Sequence, residues 1–252
     1  MSSASRIFVL HSGGKNIKRE ASRRHLEVLS APPSPLPATD LIGQQSRLGR
    51  SIKRTGDVVF SSAVLTLGSP VLLLLAVLVK LSSPGPVFYV QRRVGRNYKR
   101  FGCIKFRTMR ADADEVLSNV LAQSPSMRAE FERDFKLRKD PRITPIGNFL
   151  RRSSLDELPQ FINVLLGEMS VVGPRPIVDK ELERYGEFMD EVASVRPGLT
   201  GLWQVSGRNN LSYSQRVRLD LAYARRRSFI LDLAIILRTF GVLLLPMDRG
   251  AY

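Results

Sequence analysis

Two adjacent carboxylates, Asp156 and Glu157, lie in the stretch FLRRSSLDELPQFINVLLGEMSVVGPRP at 149–176. The pair Arg151 and Arg152 precedes them, and Arg175 follows with proline on both sides. This is a layout for phosphate chemistry: a carboxylate pair supplies a nucleophile and a ligand for a hard cation, and guanidinium groups offer forked donors to phosphate oxygens. The rest of the chain narrows the chemistry by omission. Its only histidines, His11 and His25, stand near the start, and Cys103 is its single cysteine. Residues 26–252 therefore hold no Ser-His-Asp or Cys-His triad and no zinc site built from several His or Cys ligands. Carboxylates, hydroxyls, lysines, arginines, backbone amides or a bound ion must carry the reaction.

The carboxylates also have a structural reading. Ser154 with Glu157 fits a capping box ahead of an apolar run. With Ser154 as N-cap, Pro159 falls at the fifth helical position and breaks a bond to Leu155; with Asp156 as N-cap it falls at the third, where no intrahelical donor is needed. In the second register Asp156 stands at the positive end of a helix dipole, which suits phosphate as well, so capping and function are compatible. Prolines on both sides give Arg175 a rigid base for holding an oxyanion. Gly198, Gly201 and Gly207 in RPGLTGLWQVSGR allow close backbone approach to a ligand, although loop glycines more often turn corners. Trp203 reads as core before it reads as a stacking platform.

These groups must be positioned by a chain of 252 residues, 43% hydrophobic, with a formal net charge of +16. That is enough for one substantial domain with extras, and the charge calls for an anionic partner: nucleic acid, a phosphorylated metabolite or an acidic membrane. Residues 58–79 contain no charge and, as a straight helix, extend roughly 33 Å, about one hydrocarbon thickness. The run lies too far from the start and lacks the cleavage site of a signal peptide, so it holds the protein in a membrane. A simple spanning helix is one reading. Against it, Lys53 and Arg54 precede the run and Lys80, Arg92 and Arg93 follow it, so the positive-inside rule draws both ends to the cytoplasm. Ser69 and Pro70 interrupt its middle, where a broken helix enters and leaves by one face, with the hydroxyl of Ser69 or Thr66 meeting freed backbone groups.

Residues 1–48 are polar and proline-punctuated and read as a flexible cytoplasmic leader. Residues 49–82 form the membrane helix-break-helix, and 83–252 a cytoplasmic catalytic domain. Within that domain, two strands flank a polar turn at 95–97, with Phe101, Cys103 and Lys105 on one face and Ile104 and Phe106 on the other. Helical composition runs over 111–137 with a break at Pro125, and another helix follows Asp156 and ends at Gly167. MSVV reads as a short strand and 178–192 as an acidic amphipathic helix. The apolar stretch from Ser228 is interrupted by Asp232 and Arg238, which leaves a core helix or a helix in the membrane interface. The fold class is α+β, with a re-entrant Ser-Pro-broken membrane helix and a helix-rich domain bearing a small β-hairpin.

KRTGD at 53–57, the Ser69-Pro70 break, GPVFYVQRRVG, KFRTM, DPRITPIGNFLRRSSLDELPQ, GEMSVVGPRP and RPGLTGLWQVSGR together resemble the monotopic phosphoglycosyl transferases. These are bacterial sugar transferases that initiate polysaccharide assembly on a polyprenyl phosphate. The resemblance runs from about Lys53 to the end of the chain. It implies Asp156 as the nucleophile toward a UDP-sugar and Glu157 as a Mg²⁺ ligand. It further implies Lys53, Arg54, Asp57, Lys105, Arg107, Arg151, Arg175, Arg196 and Arg208 as substrate-binding candidates. The implied partners are UDP-sugar, undecaprenyl phosphate and membrane lipid, without nucleic acid; a homodimer is compatible with it. The implied place is the cytoplasmic face of a bacterial inner membrane, and the implied sugar is galactose or glucose, for exopolysaccharide or O-antigen. Tyr98 departs from the resemblance, which expects glycine there. A membrane-tethered basic protein that binds anionic lipid or nucleic acid without turnover is the alternative.

Overall fold

The uncharged run is divided between two helices in the computed structural model, which describes residues 47–134, 137, 139–207 and 211–244. Helix α1, Arg47–Leu67, and helix α2, Ser69–Ser82, meet at Gly68 with a bend of 63°. Pro70 cannot donate to the Thr66 carbonyl, and the Ser69 hydroxyl takes over that carbonyl at 2.8 Å. No single helix among the described residues is long and apolar enough to cross a membrane; this bent pair meets that test only together. The expected leader lies outside the described residues up to 46, while 47 and 48 already belong to α1.

Strands β1, Phe88–Val94, and β2, Arg100–Phe106, pair antiparallel with Phe88 opposite Phe106. Their turn holds Asn97 and Tyr98 at φ 52° and 60°. A left-handed tyrosine costs about 1–2 kcal/mol, which explains why glycine suits this position; here the Tyr98 hydroxyl donates to the Asp190 carboxylate, 92 residues further along the chain. Helices α3, Ala113–Gln123, and α4, Pro125–Asp134, are separated where Pro125 predicts. Helix α5, Pro145–Ser153, starts at Thr144, whose hydroxyl accepts from the Gly147 N–H at 2.9 Å. Helix α6, Gln160–Leu166, stops at Gly167 with φ 81°.

Strand β3, Ser170–Val172, pairs in parallel with β4, Gly198–Thr200, giving a second small sheet beside the hairpin. The expected helix over 178–192 is broken. Its pieces are α7, Leu182–Tyr185, and α8, Met189–Ala193, because Gly186 turns the backbone between them at φ 51°. Helices α9, Leu202–Ser206, α10, Tyr213–Arg226, and α11, Phe229–Leu244, complete an α+β architecture.

The main core gathers Phe101, Phe161, Val164, Met169, Val172, Tyr223 and Ile235, and α1 packs on it through Phe60 and Val64. Helix α11 is two-sided. Ile235 is buried, whereas Phe229, Ile230, Leu233, Leu237 and Phe240 are exposed, so the helix serves the core and presents an apolar outer face. A polar bolt fixes α1 to the domain. Buried Asp57 accepts from the Ser170 hydroxyl at 2.8 Å and the Val171 N–H at 3.1 Å. Lys53 donates to Asp232 at 2.6 Å and to the Val172 carbonyl at 3.2 Å. Arg54 closes the end of α6 by donating to the carbonyls of Val164 and Leu165 at 2.6 and 2.8 Å.

Candidate active site

Helix α5 ends in a reversal at Ser154, whose φ is 59°, and a single 3-10 turn, Leu155–Glu157, follows. This turn carries both carboxylates. Neither capping register is realised: no side chain caps the turn or α6, which begins only at Gln160, after Pro159 at φ −61°. Asp156 and Glu157 are thereby left to the cleft that they line.

The two acids sit in unequal surroundings. Asp156 accepts no hydrogen bond from another described side chain, and burial together with the charge of Glu157 pushes its pKa up to about 6, against the pull of Lys105 and Arg151. Burial also acts on Glu157, but there Lys105, Arg175 and Arg93 outweigh it and hold the carboxyl below its ordinary range. The closest partner is the Lys105 ammonium on β2, 3.2 Å from Glu157 Oε1. One carboxylate is thus tied down and ionised, while its neighbour is held at higher basicity.

Arg175 stands in a tightly packed loop. A Cβ on Gly198 would lie 2.1 Å from the Gly173 nitrogen, and one on Gly201 would lie 2.2 Å from the Gly173 oxygen. These glycines admit the chain's own backbone rather than a ligand. Arg93 donates to the Pro176 carbonyl at 2.9 Å, and Val94 N–H to the Ile177 carbonyl at 2.8 Å, so the end of β1 holds the loop from behind. Asp220, fully buried on α10, accepts from the Tyr185 hydroxyl at 2.9 Å; burial pushes its pKa up to about 7 against that bond and the pull of nearby Arg175. The Arg175 guanidinium lies over the Trp203 ring at 5.8 Å, beside that of Arg216 at 4.9 Å. Sequence reasoning missed Arg93, Asp220 and Arg216 as supports of this loop.

The remaining candidates divide by where their donors go. Lys105, Arg151 and Arg175 line the cleft with the carboxylates, Arg151 being steadied by Thr108 Oγ1 at 2.9 Å. Lys53, Arg54 and Asp57 are engaged in the bolt described above. Arg107 borders the cleft but spends its guanidinium beyond the end of α2, donating to the Ser83 carbonyl at 2.7 Å and to that of Pro84. Arg196 donates to the Gly167 carbonyl at 2.8 Å. Arg208 lies outside the described residues. The cleft has a volume of about 1880 Å³. Single-ligand pockets usually measure about 300–1,000 Å³, so this cleft exceeds the space one small ligand fills.

The environment of Asp156 carries a stability consequence. Its folded-state pKa, about 6, lies above the ordinary 3.8. As pH rises between these values the unfolded chain releases its proton first, and stability falls. Asp156→Asn removes that burden. In metal-free buffer the variant should melt about 2–4 °C above wild type near pH 8, with the gap closing by about pH 4. Thermal melts across that range check this, and a gap independent of pH would contradict it.

Comparison with known proteins agrees with these motifs. Residues 48–246 match the family described as bacterial sugar transferase. The chain is 54% identical over 203 residues to an uncharacterized sugar transferase of Haemophilus influenzae, covering 81% of this chain and 42% of that protein. It is 45% identical over 252 residues to the undecaprenyl-phosphate galactose phosphotransferase of Salmonella typhimurium, covering 93% and 52%. It therefore spans about half the length of these two relatives. The exopolysaccharide production protein ExoY of Rhizobium meliloti is matched nearly end to end, at 46% identity over 219 residues covering 87% of this chain and 96% of that protein. With the family match extending over the bent helix pair, both small sheets and the paired carboxylates, the chain belongs to the bacterial sugar transferase family.

Proposed function

We propose that this protein transfers a hexose 1-phosphate from a UDP-sugar to undecaprenyl phosphate as an early step of exopolysaccharide assembly. One observation carries the reading: a basic carboxylate without side-chain partners, Asp156, stands beside an ionised one in a cleft lined by Lys105, Arg151 and Arg175. In the first step an Asp156 oxygen attacks the β-phosphorus of the donor. An O–P bond forms, the bond to the bridging oxygen breaks, and UMP leaves with that electron pair. In the second step a phosphate oxygen of the lipid attacks the aspartyl phosphosugar, which forms the lipid diphosphosugar and restores the carboxylate. No general base is needed for the first step, because a carboxylate is already ionised near neutral pH. Arg175 and Arg151, which line the cleft, would take diphosphate charge, which grows on the leaving group as the bond breaks. The Salmonella relative, named for galactose and undecaprenyl phosphate, supports that acceptor and makes galactose a sugar to try first, with glucose beside it.

The residues fit Mg²⁺. Among the described residues no group of three or more acidic, histidine or cysteine side chains could cage a metal. Mg²⁺ takes only one or two carboxylates and completes its shell with phosphates and water. Glu157 would hold it, since Lys105 bonds only one of its oxygens. When bound, the ion neutralises diphosphate charge.

The membrane reading is re-entrant, placing the catalytic domain on the cytoplasmic face of the inner membrane. It is supported by the 63° bend, by Pro70 at its vertex and by basic residues beyond both ends. Leu48 and Leu81 are exposed near the two ends of the pair. Single cysteines at these positions, Leu48→Cys and Leu81→Cys, should both be shielded from a membrane-impermeant maleimide in intact cells. Labelling of just one would establish a spanning pair.

Purified protein given Mg²⁺ and UDP-galactose or UDP-glucose should release UMP with undecaprenyl phosphate present. Asp156→Asn should lower that turnover by about a thousandfold or more while staying folded in the membrane. Undiminished turnover in the variant would remove Asp156 from the reaction. No release with either donor would favour a basic lipid-binding module.

A further inference from the structure

The cleft does not end at its charged residues. Its lining continues through Phe60 and Val64 of α1 and Ile236, Thr239 and Phe240 of α11. Phe161 links the two parts: it stands four residues after Glu157, at the start of α6, and its ring lies 6.0 Å from that of Phe60. Thr239 adds little polarity, because its hydroxyl is occupied by Thr200 and the Ile235 carbonyl, both at 2.8 Å. The cleft therefore combines a cationic group, Lys105, Arg151 and Arg175, with an apolar group contributed by α1 and α11.

Most of a sugar nucleotide cannot use the apolar group. Its hydroxyls and phosphates would lose water there without gaining partners. A ligand with a phosphate head and a hydrocarbon tail matches both groups at once, by charge at one and by apolar burial at the other. The groove's position favours the same ligand. Helices α1 and α11, which supply most of the apolar wall, also turn exposed apolar residues outward, Val59 and Leu67 on one and Leu233 and Leu237 on the other. A hydrocarbon chain could thus pass from a bilayer to the reacting carboxylate without crossing a polar surface.

We infer that Phe60, Val64, Ile236 and Phe240 form the groove that receives the proximal isoprene units of the acceptor lipid. The inference rests on the proposed transfer and adds where the lipid enters. In a two-step reaction the groove serves only the second step, so the two can be separated. Phe240 is already 49% exposed, so its truncation leaves the core intact.

The experiment compares wild type with Phe60→Ser, Phe240→Ser and Phe240→Leu. It measures the UMP burst without acceptor, then KM for undecaprenyl phosphate and for dimethylallyl phosphate, which has a single isoprene unit. The burst should be unchanged in all variants. The serine variants should raise KM for undecaprenyl phosphate about tenfold or more. Phe240→Leu should restore it, and the difference from wild type should narrow with the one-isoprene acceptor. An intact burst with unchanged KM for the long acceptor, or an equal loss with both acceptors, would overturn the groove. Absence of a burst in wild type would instead overturn the two-step transfer, and the groove with it. If Phe60→Ser fails to fold, a diazirine on the proximal isoprene of the acceptor gives a second readout: labelling should fall on α1 and α11, and labelling confined to other segments would contradict the inference.

Discussion

A buried polar bolt sets the relation between the bent helix pair and the carboxylates of the cleft. Asp57 is almost without solvent contact, yet it is ionisable and sits on the helix that enters the apolar run. It is tolerable there because Ser170 and Val171 supply donors, with Lys53 bridging to Asp232 on α11. Removing one partner of such a buried pair costs about 3–5 kcal/mol, because the other charge is left uncompensated. The same residues anchor β3, and β3 runs directly into the Gly173 loop that carries Arg175. The placement of α1 and the geometry of the cleft are therefore linked through one short polar network. Under the proposed transfer, whose acceptor keeps its phosphate at the headgroup layer, that linkage would set the height of Asp156 relative to the lipid phosphate.

The carboxylate pair extends the same economy to chemistry. Adjacent acids in one turn would ordinarily repel and share a similar fate. Here Lys105 reaches Glu157 and not Asp156, so the charge of Glu157 is matched while Asp156 bears the cost of burial. The turn that presents them depends on a serine in the left-handed region, a strained conformation of the kind found at functional sites. The loop that carries Arg175 is held through Arg93 on the Pro176 carbonyl and the glycine-on-glycine packing, while the Arg175 guanidinium lies over the Trp203 ring.

Local signals were readable wherever the chain carries its own punctuation. Pro125 divides two helices, Gly167 ends another, and Ser69 and Pro70 break the apolar run next to Gly68. The paired acids also announced themselves, by type and by their arginine neighbours. The parallel pairing of Ser170 with Gly198 did not, because three-residue strands have too few positions for alternation to show. The positive φ of Ser154 carries no propensity signal, since serine is not a residue expected there. Lys53 and Asp57 read equally well as phosphate ligands or an i,i+4 pair; their partners lie more than 100 residues away, a distance that only folding resolves. Asp220 did leave a trace, for it shares the helical stripe of Val217, Leu221 and Ala224. An acid on an apolar stripe is either buried with partners or misassigned.

The central claim is covalent: Asp156 carries the sugar phosphate between donor and acceptor. The most direct measurement is intact-protein and peptide mass spectrometry of the membrane-reconstituted enzyme, quenched after exposure to Mg²⁺ and UDP-galactose or UDP-glucose without acceptor. The account predicts a hexose phosphate adduct on the peptide containing Asp156, lost when undecaprenyl phosphate is added before the quench. Lipid-dependent turnover with no adduct on that peptide, or with the adduct on another residue, would contradict it.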